Sequence, residues 1–133
     1  MSATLIVVDS SLAIELFLPT SLGERIADSV FDEERHVPHL IDVEFASALR
    51  RLTRLGGLDG NAAQRALDNF RDWASVRHGH GDLLPRIWQL RDSVSSYDAA
   101  YVALAELLGA PLLTCDAKLS RTHGHRAKIV LLK

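Results

Sequence analysis

The sequence predicts an α/β domain in which a central parallel sheet carries helices on both faces. Two short apolar runs support that expectation. Leu5-Ile6-Val7-Val8 and Leu112-Leu113-Thr114, the second introduced by Pro111, lack the polar alternation of a half-exposed strand and suit strands covered on both sides. The third observation is what lies between them: long stretches with apolar residues at steps of three and four read as helices, and strands separated by helical crossovers pair in parallel. Each run leads to an aspartate, Asp9 or Asp116. Open parallel sheets bind ligands outside the carboxyl ends of their strands, so the two ends of the chain are expected to build one acidic site together.

Residues 12–18 predict a short, mostly buried helix capped by Ser10 or Ser11 and stopped at Pro19. A second helix starts from Thr20 or Ser21 and carries Leu22, Ile26, Val30 and Phe31 on one side before the charged exit Asp32-Glu33-Glu34-Arg35. His36-Val37-Pro38 reads as a very short strand. In residues 40–55, Ile41, Phe45, Ala48, Leu52 and Leu55 recur at helical steps, Gly56-Gly57 ends the helix, and Glu44 flanks the apolar stripe. Asp59 caps a further helix bearing Ala62, Ala66, Leu67, Phe70 and Trp73. His78-Gly79-His80-Gly81 reads as a loop before a short helix over residues 83–90. Ser95-Ser96-Tyr97-Asp98 then opens an alanine-rich helix to Gly109, so poor in charge that it must be buried. A strand over residues 111–114, a helical turn at 117–120 and a last strand at 128–132 complete the pattern.

Hydrophobic residues make up 47% of the 133 and charged ones 24%, which suits a single domain spanning residues 1–133 with its own core. Met1-Ser2-Ala3-Thr4 lacks the basic start of a secretory leader, and the first apolar run is cut by Asp9. A cytoplasmic protein with no membrane segment is therefore expected. Cys115 is the only cysteine, which excludes an internal disulfide and an all-cysteine zinc site. A net charge of -2 argues against a generic electrostatic trap for nucleic acid, and leaves room for local contacts.

Four acids stand out: Asp9, Glu44, Asp98 and Asp116. Each has a structural reading, since Asp9 and Asp116 suit helix caps, Asp98 suits the positive end of a helix, and Glu44 suits a solvated flank. Yet serines stand ready to cap beside Asp9 and Asp98, and all four acids adjoin apolar segments. Gathered carboxylates raise one another's pKa unless cations join them. An oxygen-only set suits Mg²⁺ or Mn²⁺, and the chemistry such ions support is hydrolysis of a phosphodiester, with a carboxylate available to take the water's proton.

Val8-Asp9-Ser10-Ser11, the segment from Pro38 through Glu44 to Arg51, Ser96-Tyr97-Asp98-Ala99-Ala100-Tyr101-Val102-Ala103-Leu104-Ala105-Glu106, and Leu113-Thr114-Cys115-Asp116-Ala117-Lys118-Leu119 together resemble the PIN domain, specifically the VapC toxins of bacterial toxin-antitoxin pairs. The resemblance covers essentially the whole chain, and its third and fourth motifs are the specific ones. It implies a PIN-like three-layer sandwich and an acidic quartet of Asp9, Glu44, Asp98 and Asp116, with Ser10 and Thr114 as polar helpers. It further implies a Mg²⁺- or Mn²⁺-dependent endoribonuclease that cuts tRNA, rRNA or mRNA and stops translation. A homodimer and a silencing VapB antitoxin are the implied partners.

Arg50, Arg86, Arg91, Lys118 and Arg121 are the basic residues expected to hold RNA phosphates, which position a strand while carrying little sequence information. The two His-Gly-His triplets suit solvated loops better than zinc, having no cysteine or acid at ligand spacing. Trp73 and Trp88 read as core or interface anchors, and Cys115 as a packed thiol. Leu16, Phe17, Leu18 and Phe31 look too numerous for one side of so small a domain, which suggests a surface for an antitoxin or a second copy. A phospho-acceptor signalling domain and a non-catalytic binding module remain alternatives, although Ser10 and Ser11 stand where a paired acid or an Asp-x-Asp would be required.

Overall fold

The computed structural model describes residues 4–133; residues 1–3, and with them most of the Met1-Ser2-Ala3-Thr4 segment read for a leader, lie outside the described residues. Strands β1 (Leu5–Val8), β2 (Glu34–Pro38), β3 (Val76–His78), β4 (Leu112–Thr114) and β5 (Ile129–Leu131) form one sheet in the order β3-β2-β1-β4-β5. Every neighbouring pair is parallel. The helices are α1 (Ser10–Phe17), α2 (Ser21–Phe31), α3 (Leu40–Arg54), α4 (Gly60–Asp72), α5 (Leu84–Gln89), α6 (Ser96–Leu108) and α7 (Ala117–Ser120).

The chain steps outward from β1 to β2 to β3, then returns to the other side of β1 for β4 and β5. Right-handed crossovers turn that reversal into two layers, α1 to α4 on one face and α5 to α7 on the other. The packing agrees, because α1 meets α2, α3 and α4, whereas α6 lies along β1, β2 and β4 with α5 against it. Val7 and Val8 point to opposite faces and both are fully buried, which is the meaning of the unalternating apolar run. The reversal also leaves a crevice between the carboxyl ends of β1 and β4, the switch point of the sheet.

Three local expectations change. β2 begins at Glu34, two residues early, and Arg35 beside it donates to the carbonyls of Val30, Phe31, Glu33 and Ala74, closing the end of α2. The stretch expected to be a histidine loop begins on the last residue of β3, an edge strand too short to show a period and not expected from the sequence. Its histidines are structural: His78 Nε2 is hydrogen-bonded to Nδ1 of His36 on β2 at 2.8 Å, and His80 Nε2 accepts from the Leu40 amide at 3.0 Å. Finally, Leu16, Phe17 and Leu18 are not a surplus. They pack against the core, where Phe17 meets Phe45, Phe70 and Trp73 edge-on, and only Phe31 of that group is exposed. Trp73 is a core anchor as expected, while Trp88 stands 67% exposed on α5.

At the far end of α6, Glu106 accepts from Arg86 Nε at 2.7 Å and Nη2 at 3.0 Å, and from the Arg126 amide at 2.8 Å. Its side chain is 6% exposed. The hydrogen bonds from Arg86 hold its carboxyl below the usual 4.5. A lowered folded-state pKa stabilises the fold above the unfolded pKa and loses that stabilisation as pH falls through the folded value. Glu106→Gln is therefore expected to cost about 2 kcal/mol at pH 7, with the difference from the parent protein shrinking below about pH 4.5, as read by urea denaturation at several pH values.

Candidate active site

Asp9 follows β1 directly and is only 5% exposed. Its carboxylate accepts three hydrogen bonds: Ser11 Oγ at 2.7 Å and Leu12 N at 3.0 Å on Oδ1, and Thr114 Oγ1 at 2.5 Å on Oδ2. Asp9 is therefore itself the cap of α1, the task the sequence assigns to Ser10 or Ser11. The reason is the sharp exit from β1, which leaves Asp9 extended while the helix begins at the next residue. Ser11 and Thr114 become braces. Ser11 Oγ accepts from the Cys115 amide at 3.0 Å, and Thr114 Oγ1 accepts from the Asp116 amide at 2.9 Å, so both hydroxyls are oriented to donate to Asp9. Together they tie the ends of β1 and β4. Ser11 is the residue that sequence reasoning undervalued.

Glu44 enters from the second turn of α3, half-buried, and accepts from the Tyr101 phenol at 2.6 Å. Tyr101 lies one turn beyond Asp98 on α6, so a single hydrogen bond couples the Glu44 helix to the Asp98 helix. Its part went unassigned in the sequence, where its place three residues after Asp98 was the available signal. Ser95 caps α6 by accepting from the Asp98 amide at 3.2 Å, which leaves the Asp98 carboxylate free to serve elsewhere. Asp116 does both jobs. One of its oxygens caps α7 through the Lys118 amide at 2.9 Å.

The charges of these acids act on one another. Burial is the first cause pushing the Asp9, Glu44 and Asp98 carboxyls up from their ordinary values. The charge of Asp116 adds to it at Asp9 and Asp98, and the charges of Asp98 and Asp9 add to it at Glu44. Hydrogen bonds from Thr114, Leu12 and Ser11 work the other way at Asp9, as Tyr101 and Ser10 do at Glu44. Burial and the nearby Glu44 charge in turn push the Tyr101 phenol far up, so it stays protonated and donating. Among the described residues, no three acidic, imidazole or thiol groups stand close enough together to hold a metal ion as they are placed. The expected four-acid centre is thus an open corner with oxygen donors alone. Such a corner fits a hard divalent cation, which keeps waters and takes a few carboxylates together with phosphate oxygens.

A cleft of about 440 Å³ opens beside the corner, lined by Ser10, Glu15, Glu44, Ser47, Arg51 and Cys115 among others. The expected basic contacts divide around it. Lys118 lies close enough to lower the Asp98 carboxyl, and Arg121 is exposed just past α7. Arg50 instead faces the groove between α3 and α4, because it sits six residues from Glu44 and off its face of the helix; Arg51, at seven, takes the cleft side. Arg86 is held by Glu106, about 12 Å along α6 from Asp98. Arg91 lies over the Trp88 ring at 4.7 Å and donates to the Trp88 carbonyl. Cys115 borders the cleft, yet burial pushes its thiol up to about 11, which leaves it a poor nucleophile.

The parallel sheet thus carries, at the carboxyl edge beside its switch point, acids whose charges act on one another, one of them braced and the others more open. Residues 6–124 match the family model of the PIN domain. The VapC ribonuclease Mb0985 of Mycobacterium bovis is 45% identical over 121 residues, covering 89% of this chain and 91% of the relative. Ribonuclease VapC12 of Mycobacterium tuberculosis is 38% identical over 128 residues, covering 96% and 99%. The chain belongs to the PIN-domain family, within its VapC ribonuclease branch. PAE2754 from Pyrobaculum aerophilum shares the fold with a TM-score of 0.72 at 24% identity, covering 95% of this chain and 83% of the other.

Proposed function

We propose that this chain is the toxin of a toxin-antitoxin pair, an endoribonuclease that uses Mg²⁺ or Mn²⁺ to hydrolyse phosphodiester bonds in tRNA, rRNA or mRNA and so inhibits translation. The observation that supports this most directly is that the charges of Asp9, Glu44, Asp98 and Asp116, carried by four separate elements, act on one another in pairs beside the switch point of the sheet. In this reading Asp9, Asp98, Asp116 and Glu44 hold the metal. When bound, the ion lowers the pKa of a water and offsets charge on the phosphate oxygens. Hydrogen bonds from Ser11 and Thr114 favour the ionised form of Asp9 against its burial and fix its orientation. Tyr101 fixes Glu44, whose raised pKa suits a carboxylate that takes a proton and gives it up again. Lys118 and Arg121 hold flanking phosphates.

A phospho-acceptor role suits the site poorly, because Ser10 stands after Asp9 where such a site pairs a second acid. A VapB-type antitoxin and a second copy of the chain are the partners in this reading, and light scattering of the protein alone and with its antitoxin measures both. No helix among the described residues is long and apolar enough to cross a membrane, and the cytoplasm is the proposed compartment. The decisive test is cleavage of total RNA with Mn²⁺. The wild type should cut, and Asp98→Asn should cut about 10²- to 10³-fold more slowly. Absence of cleavage with every divalent metal would sink the enzyme reading.

A further inference from the structure

Two helical stripes face each other across the cleft beside the acids. α1 contributes Ser11, Ile14 and Glu15, and α3 contributes Glu44, Ser47, Ala48 and Arg51 at steps of three, four and seven. Both helices start at the carboxyl edge of the sheet, so the cleft leads away from the acids. At 1.5 Å per residue, Arg51 stands about 10 Å along α3 from Glu44, the scale of one nucleotide. The space, about 440 Å³, falls within the range of sites that enclose a small molecule.

Its chemistry differs from that of the acidic corner. Ile14 and Ala48 give it apolar walls, Ser47 a hydroxyl, and Glu15 and Arg51 opposite charges. Among the described residues, neither the Glu15 carboxylate nor the Arg51 guanidinium forms a side-chain hydrogen bond or ion pair. Two opposite charges in one cleft, each without a protein partner, are both available to a ligand that carries a donor edge and an anion.

Resting on the ribonuclease reading, we propose that this cleft holds the nucleotide flanking the cut and selects guanine. The Glu15 carboxylate accepts from the N1–H and the exocyclic amino group of the base, while Arg51 pairs with a phosphate. A carboxylate offers two acceptor oxygens and no donor, which matches the two adjacent N–H groups of guanine. Adenine presents an acceptor at N1, uracil flanks its single N–H with carbonyls, and cytosine sets its amino group beside an unprotonated N3. Single-stranded bases are read on these edges once they are splayed from the stack, and the Ile14 and Ala48 walls suit the base faces. A basic peptide is the competing occupant. Glu15 and Glu44 would attract its guanidinium, but Arg51 in the same space repels it, and that charge favours a nucleotide.

The experiment has two arms. In the first, an RNA pool randomised at every position is cut and its ends are sequenced. Wild type should enrich guanine at one fixed position beside the cut, and Glu15→Gln should lower the guanine-to-adenine ratio there about tenfold. Arg51→Ala should raise KM more than it lowers kcat and leave the base ratio in place. In the second, calorimetry with the intact Asp98→Asn protein should show 5′-GMP binding several-fold more tightly than 5′-AMP, a difference that Glu15→Gln removes. RNA cleavage whose base ratio is indifferent to Glu15 overturns the proposal while the ribonuclease reading stands. Glu15-dependent binding of GMP without any RNA cleavage supports the cleft and sinks the nuclease reading instead. Binding of a short arginine-bearing peptide, with no nucleotide bound, assigns the cleft to a protein partner and overturns the proposal.

Discussion

Asp9→Asn is expected to lower RNA cleavage by about 10³-fold while leaving the metal-free protein at least as stable as the parent. Asparagine is nearly isosteric. Its oxygen can keep the hydrogen bonds from Ser11 Oγ and Leu12 N, and its amide can face Thr114, whose hydroxyl can turn toward Ser11 Oγ at 3.2 Å. What disappears is the charge. Burial raises the Asp9 carboxyl above its ordinary 3.8, so in the folded state the ionised form is the disfavoured one. A carboxyl with a raised folded-state pKa is most favourable to the fold below its unfolded value, and that contribution is lost as pH rises through the folded value. Above the folded value the parent protein bears that cost and the asparagine variant does not. Thermal denaturation in EDTA should therefore place the variant's Tm a few degrees at or above the parent's, while Mn²⁺ should raise the parent's Tm alone. Retention of cleavage within tenfold would falsify the assignment of Asp9 to the metal.

How far the sequence disclosed this arrangement depends on how local each signal is. β1, β4 and the buried helix α6 were legible because a strand covered on both faces and a helix covered nearly all round have no polar period to obscure. The caps Thr20, Asp59 and Ser95 were legible because each lies within three residues of the amide it serves. β3 escaped because three residues at a sheet edge take their identity from β2, forty residues away. The same distinction runs through the site. Four acids could be picked by their apolar surroundings, whereas the braces depend on contacts such as Ser11 to Thr114, 103 residues apart. Arg51 and Arg50 are adjacent in sequence and diverge in space. Only the phase of α3 relative to Glu44 separates them, and that phase was available from the sequence had Glu44, not the apolar stripe, been taken as its origin. Arg86 shows the opposite limit. Its commitment to Glu106 follows from the docking of α5 on α6, which no short pattern encodes.

Gly23→Ala is expected to be the most destabilising single methyl addition in the chain. A Cβ at this position would lie 2.0 Å from the Glu15 carbonyl oxygen and 2.9 Å from its carbon, and both are backbone atoms that no rotamer change can move. Relief requires α1 and α2 to part. The same movement strains Thr20, whose hydroxyl accepts from the Gly23 amide at 2.9 Å and donates to the Glu15 carbonyl at 3.2 Å, bridging the two helices. Overpacking against rigid neighbours and a weakened cap together should cost about 3 to 4 kcal/mol, a large fraction of the roughly 5 to 15 kcal/mol that holds a domain of this size. Gly60→Ala is the matched control. It adds the same methyl at the start of α4 where nothing lies within 4 Å, and it should be neutral or stabilise by up to about 1 kcal/mol. Urea denaturation of both variants reads the contrast. A Gly23→Ala protein within 1 kcal/mol of the parent would show that α1 is free to shift, and the consequence would reach the site. α1 carries Ser11 at its start and Glu15 near its end, so the rigidity that Gly23 permits is the same rigidity that holds the Asp9 brace and the wall of the adjoining cleft in register.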